Sequence, residues 1–376
     1  HVVTRRQRQM CIRDRLHGGF HRRVGSRRSS MMTTLPRKAR LEDIAKHAGV
    51  GIATVDRVLN ERGGVSERTV ARVLNSAREL GTKRVLPTGN RRQLSIEAVF
   101  ARNATAYSER LNQSLAAVNK LVDYPVTIYR THFDANEPGR LVTHLHAAAN
   151  RRDGIILFAS DLPVIANAVR DLVNKIFMVT ISTDIPDSGR HCYVGIDNVN
   201  AGRSAAKLSE AICRKGGRVL VVEPGTNARS NLDRISGFCR FFTERGIEDK
   251  LTLLPPPATL VEGVSNLLAS LREQDDFRVL YGPANNELLE TLIESGRQEE
   301  SVRSMTKIVH DLSPYSIENL RSGLIDMVID SNPMQQAFGA VDFIARQHGY
   351  ETETTMANID FQFYTSENLP RAEIIS

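Results

Sequence analysis

The sequence predicts an α/β protein: a small helical module at the front, then a two-lobed body of parallel sheets flanked by helices. Three observations carry that expectation. From Ser95 onward, short apolar runs alternate with amphipathic stretches of about ten to fifteen residues, the pattern of repeated strand–helix units. Before that point, residues 41–81 place apolar side chains at helical spacing in three short blocks. Finally, about ten candidate strands in 376 residues are too many for one comfortable sheet, so two similar lobes are expected.

A chain that is 41% hydrophobic and 25% charged can build two or three real cores. No apolar run reaches about 18 residues, so no helical membrane span is expected. Cys11, Cys192, Cys213 and Cys239 are scattered without a CxxC pair, which suits a reducing compartment better than a disulfide frame or zinc site. His144 and His146 lie two apart on an expected helix, hence on different faces, and no metal or cofactor is expected. Charge is uneven. Residues 1–95 hold 22 Lys/Arg against 7 Asp/Glu, and the rest of the chain has a balance of −8. A basic front on an acidic body points to a polyanion partner for the front alone. Residues 1–30 show no helical period and no apolar signal core, and are expected to be an artefactual or disordered leader, with Met31 or Met32 as the true start. Without them the front stays basic, with 13 basic and 6 acidic residues over 31–95.

In "LEDIAKHAGVGIATVDRVLN", Ile44, Ala45 and Ala48 make one apolar face, and Val55, Val58 and Leu59 make another. "SERTVARVLNSAREL" adds Val70, Val73, Leu74, Ala77 and Leu80, with Ser66 as N-cap and Gly81 as stop. Ala45 permits a close crossing of the first two helices, and Gly49 supplies the freedom of a three-residue turn. This is a helix-turn-helix over 38–82. Its second helix leaves Ile52, Ala53, Asp56 and Arg57 away from the core, on a face able to enter a major groove.

The same forty residues resemble the headpiece of the lactose-repressor (LacI/GalR) family of bacterial transcription regulators, through D-I-A…A-G-V, T-V-x-R-V-L-N, V-S-x-x-T and the closing E-L-G. By that resemblance Ile52 and Ala53 fall where the family reads bases, and Arg57 falls on its base-edge arginine. Thr54 and Asn60 fall on phosphate-contacting and turn positions. Arginine suits base reading, because its fork can bond guanine O6 and N7 together. The basic linker, residues 83–94, departs from the family. Pro87 and Gly89 argue against a regular hinge helix, while Lys83, Arg84, Arg91 and Arg92 can hold phosphates without sequence preference.

The body, residues 95–370, divides into lobe 1 at about 95–196 and 331–358, and lobe 2 at about 197–330 with the C-terminal tail. In such sheets ligands bind beyond the carboxyl ends of the strands. Those ends carry Arg102, Asn103, Ser160, Asp161, Thr183 and Asp184 in the first lobe, then Glu223, Asn285, Asn286, Asp311, Asp330 and Ser331. Convergent Asp, Asn and Arg side chains suit a hydroxyl-rich or otherwise neutral polar ligand. This half resembles the type I periplasmic sugar-binding fold that the same regulators carry as an effector domain, in "YVGIDNVNAGRSAAKL", "DRISGF" and "VLYGPANNEL". The resemblance implies that Arg234 clamps the ligand, that Asn285 and Asp311 are its polar contacts, and that Ser331 stands in place of the family's glutamine. Asp161, Asp184, Asn103 and Tyr107 complete the candidate effector set.

No GxGxxG after a strand, GxxxxGK[ST], GxSxG or HExxH is present, so an enzyme is not expected. The expected function is sequence-specific DNA binding, with repression as the usual outcome, under allosteric control by a small polar effector, sugar or sugar-like. The expected partners are operator DNA, the effector and a second copy of the chain, without a membrane. The expected setting is the bacterial cytoplasm, nucleoid-associated when DNA-bound. An enzyme or transport-type binder on the same two-lobed fold is the alternative.

Overall fold

The computed structural model describes residues 40–370 except Glu61, 83–91, 103–104, Pro224, 226–227, 274–275, Glu351 and 353–357. The expected leader and the linker residues Lys83, Arg84 and Arg91 therefore lie outside the described residues.

Three helices, α1 (Leu41–Ala48), α2 (Ile52–Leu59) and α3 (Glu67–Glu79), form the front module. Ile44, Ala45 and Ala48, Val55, Val58 and Leu59, and Val73, Leu74 and Ala77 make one buried core. Gly49 ends α1 in the left-handed region, with φ 62° and ψ 40°, where a side chain would cost about 1–2 kcal/mol. The Oγ of Ser66 accepts a bond from the Thr69 N–H at 3.4 Å and so caps α3.

The body is built from two six-stranded sheets. The first contains β1 (Leu94–Ala101), β2 (Val126–His132), β3 (Gly154–Ala159), β4 (Phe177–Ile181), β5 (Cys192–Ile196) and β11 (Asn358–Ile359), in the order β11-β5-β4-β3-β1-β2. The second contains β6 (Arg218–Val222), β7 (Leu251–Leu254), β8 (Phe277–Gly282), β9 (Thr306–His310), β10 (Met327–Asp330) and β12 (Gln362–Tyr364), in the order β12-β10-β9-β8-β6-β7. All pairings are parallel except β12 against β10. Central strands such as β3 are buried at every position, because helices cover both faces.

Helices α4 (Ala106–Leu121), α5 (Pro138–Ala149), α6 (Pro163–Leu172) and α13 (Pro333–Gln347) belong to the first lobe. The second carries α7 (Asn198–Ile212), α8 (Arg229–Thr243), α9 (Leu260–Glu273), α10 (Glu287–Ser295), α11 (Glu300–Arg303) and α12 (Pro314–Arg321). The chain crosses between lobes after β5, again between β10 and α13, and a third time between β11 and β12. All ten expected strands are present, whereas β11 and β12 were not expected. With two and three residues they are too short to show a period. No helix among the described residues is long and apolar enough to cross a membrane.

Candidate functional site

Helix α8 delivers Arg234 to the gap between the lobes, and two glycines set how closely it can do so. A Cβ on Gly237 would lie 2.1 Å from the Val199 carbonyl oxygen, and one on Gly202 would lie 1.9 Å from the carbonyl oxygen of Arg234 itself. Helices α7 and α8 thus pack backbone against backbone, which fixes the root of the Arg234 side chain. That side chain is 4% exposed. Its Nε donates to Asn198 Oδ1 at 2.9 Å, one terminal nitrogen donates to the Pro283 carbonyl at 2.9 Å and to Asp311 at 3.1 Å, and the other donates to Ser331 Oγ at 2.9 Å. Burial works against its charge, but Asp311, Tyr281 and Tyr107 together outweigh that, leaving its pKa above the usual arginine value. Of the five N–H donors on a guanidinium, one remains for a ligand.

From this hub a chain of hydrogen bonds runs into the first lobe. Ser331 donates to Asp311 Oδ1, and its carbonyl accepts from Gln336 Nε2. Ser182 Oγ donates to Gln336 Oε1 at 2.6 Å and is paired with the Tyr107 phenol at 2.6 Å. Burial, with Asp311 second, pushes the Tyr107 pKa far up, so this phenol stays protonated. Arg110 of α4 reaches the other way, bonding the Leu312 carbonyl and Asp330, each at 2.7 Å. Ser182, Asp311 and Asn332 have φ of 63°, 64° and 53°, the positive-φ non-glycine residues among those described. All three stand at strand ends facing this gap, where strained backbone commonly marks function.

The structure brings Arg234, Asp311, Ser331 and Tyr107 into one network, and Asn285 joins it by donating to the Asp311 carbonyl at 3.3 Å. Asn285 is not the N-cap of α10; Asn286 is, accepting from the Leu289 N–H at 2.8 Å. Ser313 caps α12 with its own hydroxyl, which frees the Asp311 carboxylate for Arg234. Asp161 is half-buried beyond β3 and makes no hydrogen bond or ion pair with a described residue. Asp184 stands outside that network: its carboxylate accepts from Arg190, from Thr180 Oγ1 and from the Ile185 N–H, and so braces the end of β4. Asn103 lies outside the described residues. Gln336, Arg110 and Ser182 were missed by sequence reasoning; the Q-Q pair just past "SNP" was the available signal for the first.

On the front module, Ile52, Ala53 and Arg57 are exposed side by side on α2, and Thr54 is half-buried. Asn60 ends α2 and donates to Asp56 through both the carbonyl and the carboxylate, at 2.9 and 2.7 Å. Asp56 also receives Arg62 at 2.9 Å, so it is committed within the module and does not lie free on the α2 face. Of the linker cations, Arg92 sits 3.9 Å from Asp153, and its carbonyl is bonded by Tyr350. Helix α3 touches the first lobe, with Asn75 donating to the Arg346 carbonyl of α13 at 3.2 Å.

Residues 40–83 match the family model for bacterial regulatory proteins of the lacI family, and residues 100–350 match that of a periplasmic binding protein domain. The chain belongs to the periplasmic binding protein domain family, and its front module is a lacI-family domain. Across 216 residues it is 26% identical to the HTH-type transcriptional regulator RegA of Clostridium saccharobutylicum, covering 55% of this chain and 62% of that protein. Across 184 residues it is 30% identical to the sucrose operon repressor of Streptococcus mutans, covering 45% and 52%. The chain thus spans less than two thirds of the length of these curated relatives. A putative LacI transcriptional regulator from Bacteroides fragilis shares the fold, with a TM-score of 0.62 at 17% identity over 73% of this chain and 98% of that one. The lacI-family domain is the front module, and the binding-protein domain is the two-lobed body.

Proposed function

We propose that the chain is a transcriptional repressor that binds operator DNA through α2 and is controlled by a small polar effector held between the lobes. One observation carries the reading: exposed Ile52, Ala53 and Arg57 stand on a headpiece that the same chain joins to a body with a buried polar network at its strand ends. Arg234, Asp311, Asn285, Ser331 and Tyr107 are the effector groups, with Asp161 at the rim. The two lobes are braced by protein groups in this network, and a ligand that adds to those bonds favours the closed arrangement.

The working form is a homodimer in the bacterial cytoplasm. Tyr129 on the edge strand β2, Leu253 on the edge strand β7 and Val261 on α9 are large apolar side chains exposed by 43, 45 and 77%, the kind of surface a partner subunit covers. Two headpieces then read two half-sites. Phosphate contacts of the linker set, Lys83, Arg84, Arg91 and Arg92, add salt-dependent affinity without sequence preference.

The test is selection of bound duplexes from a random pool by the purified protein, followed by titration of sugars, polyols and sugar acids against the protein–DNA complex. A palindromic enriched site, lost or gained with one compound, is the expected result. A pool that stays random, or sedimentation as a monomer with DNA present, overturns the reading.

A further inference from the structure

The cations of the inter-lobe gap can be matched with their counter-charges one by one. Arg234 is held by Asp311, Arg110 by Asp330, and Arg190 by Asp184. Arg102, at the end of β1, has no such partner. Its guanidinium lies 5.1 Å from the centre of the Phe158 ring, half-buried, and forms no hydrogen bond or ion pair with any described residue. Phe158 in turn packs against Tyr107, the first-lobe end of the hydrogen-bond chain that starts at Arg234. Arg102 therefore stands at the rim of the same network with its N–H donors unspent. Burial, and then the Arg234 guanidinium, pull its pKa below the usual arginine value, while the neighbouring phenol of Tyr107 acts in its favour. Asp161, just beyond the neighbouring strand β3, forms no ion pair with it.

A half-buried guanidinium with no counter-charge among the described residues is an arrangement that water stabilises poorly and an anion stabilises well. We infer that the effector carries a carboxylate, and that Arg102 receives it. The inference rests on the effector reading above and narrows its chemical class to a hydroxylated carboxylic acid, a sugar acid. The choice of carboxylate over phosphate follows from charge. One uncompensated guanidinium balances one negative charge, and its planar fork matches the two oxygens of a carboxylate. A phosphate dianion would bring a second negative charge that no unpaired cation among the described residues of the gap would meet. The ring of Phe158 supplies an apolar floor beneath the guanidinium, and the single open N–H of Arg234 can meet a hydroxyl of the same ligand.

Two measurements test this. In the unliganded protein, Arg102→Gln leaves the melting temperature unchanged or higher, because an uncompensated charge is removed; Arg110→Gln, which strands Asp330, lowers it. A drop for Arg102→Gln as large as that for Arg110→Gln overturns the inference. So does a double-mutant cycle in which Arg102 and Asp161 prove strongly coupled, since the counter-charge would then be internal. In the second measurement, D-gluconate, D-glucuronate and D-galacturonate are compared by calorimetry with glucose, galactose and glucose 6-phosphate. At least one acid binds the wild type, and Arg102→Gln weakens it by about ten- to a hundredfold, the contribution of a dehydrated charge-assisted pair. Neutral sugars binding as tightly as acids, and equally to Arg102→Gln, overturn the charge class while leaving effector binding standing. A preference for the phosphate overturns the one-charge argument. No binding by any compound counts against the effector reading itself and this inference with it.

Discussion

Arg110 of α4 and Asp330 at the end of β10 form a two-pronged ion pair between the lobes, with N–O distances of 2.7 and 3.3 Å. Asp330 is almost wholly buried, and it also accepts the N–H groups of Leu312 and Asn332 at 2.8 and 3.0 Å. One carboxylate thus joins the first helix of one lobe to two turns of the other. Because Arg110 also bonds the Leu312 carbonyl, the pair reports directly on how the lobes stand.

Arg110→Ala should cost about 3 kcal/mol. Removing half of a buried pair typically costs 3–5 kcal/mol, and the lower end applies because Asp330 keeps its two backbone donors. The body should also spend more time open, seen as a larger radius of gyration in small-angle scattering. Equal stability and equal size in variant and wild type would show that the bridge carries no weight.

His310 gives a pH signature. It is completely buried, its Nε2 lies 3.0 Å from the Tyr281 phenol, and its Nδ1 has no partner. Burial first, and the Arg234 charge second, hold its pKa well below the usual imidazole value. Above about pH 6.5 it is neutral folded or unfolded and adds no pH dependence. Below that, the unfolded chain takes up a proton that the folded chain refuses, so stability falls as pH falls, by up to about 1.4 kcal/mol per unit. His310→Gln should flatten the curve of melting temperature between pH 7 and 5 relative to wild type. Parallel curves would mean that the imidazole is protonated in place.

Much of this could be read before the structure, and the reasons for the rest are physical. Central strands such as β1 and β3 announce themselves as apolar runs, because parallel strands covered on both faces must be continuously apolar. That Arg234, Asn285 and Asp311 meet in one network was legible because strand ends and one helix motif fix where such polar groups can lie. The engagement of Asp184 was not legible, because nothing in the sequence tells that Arg190, six residues on, folds back to take its carboxylate. The importance of Gln336 and Arg110 depends on lobe crossings between residues far apart in the chain, which local pattern cannot encode.

For the DNA face, Arg57→Ala should cost about 1–3 kcal/mol at one base pair of each half-site and relax the preference there. The side chain is exposed in the last turn of α2 and makes no hydrogen bond or ion pair with a described residue, so folding should be untouched. Fluorescence anisotropy on the selected operator and on its single-base variants measures this. Equal losses on operator and unrelated DNA would make Arg57 a phosphate contact.

The last prediction concerns how the two ends of the chain communicate. Helix α13 is common to both: in its first turn Gln336 bonds Ser331 and Ser182, and in its last turn the Arg346 carbonyl receives Asn75 of the headpiece. A helix of 15 residues buried along one face moves as a unit, so a shift of the Ser331 crossing on lobe closure reaches α3. Linkage then requires that the effector change DNA affinity by the same factor as DNA changes effector affinity, a coupling of typically 1–3 kcal/mol. Asn75→Ala removes the contact at the headpiece end and leaves the effector groups untouched. It should reduce that coupling by about 0.5–2 kcal/mol, while effector affinity measured without DNA stays at the wild-type value. Calorimetry of the effector with and without operator gives both numbers for each protein. Full coupling retained in Asn75→Ala would mean that the signal leaves the body by another route, such as a rearrangement of the two subunits.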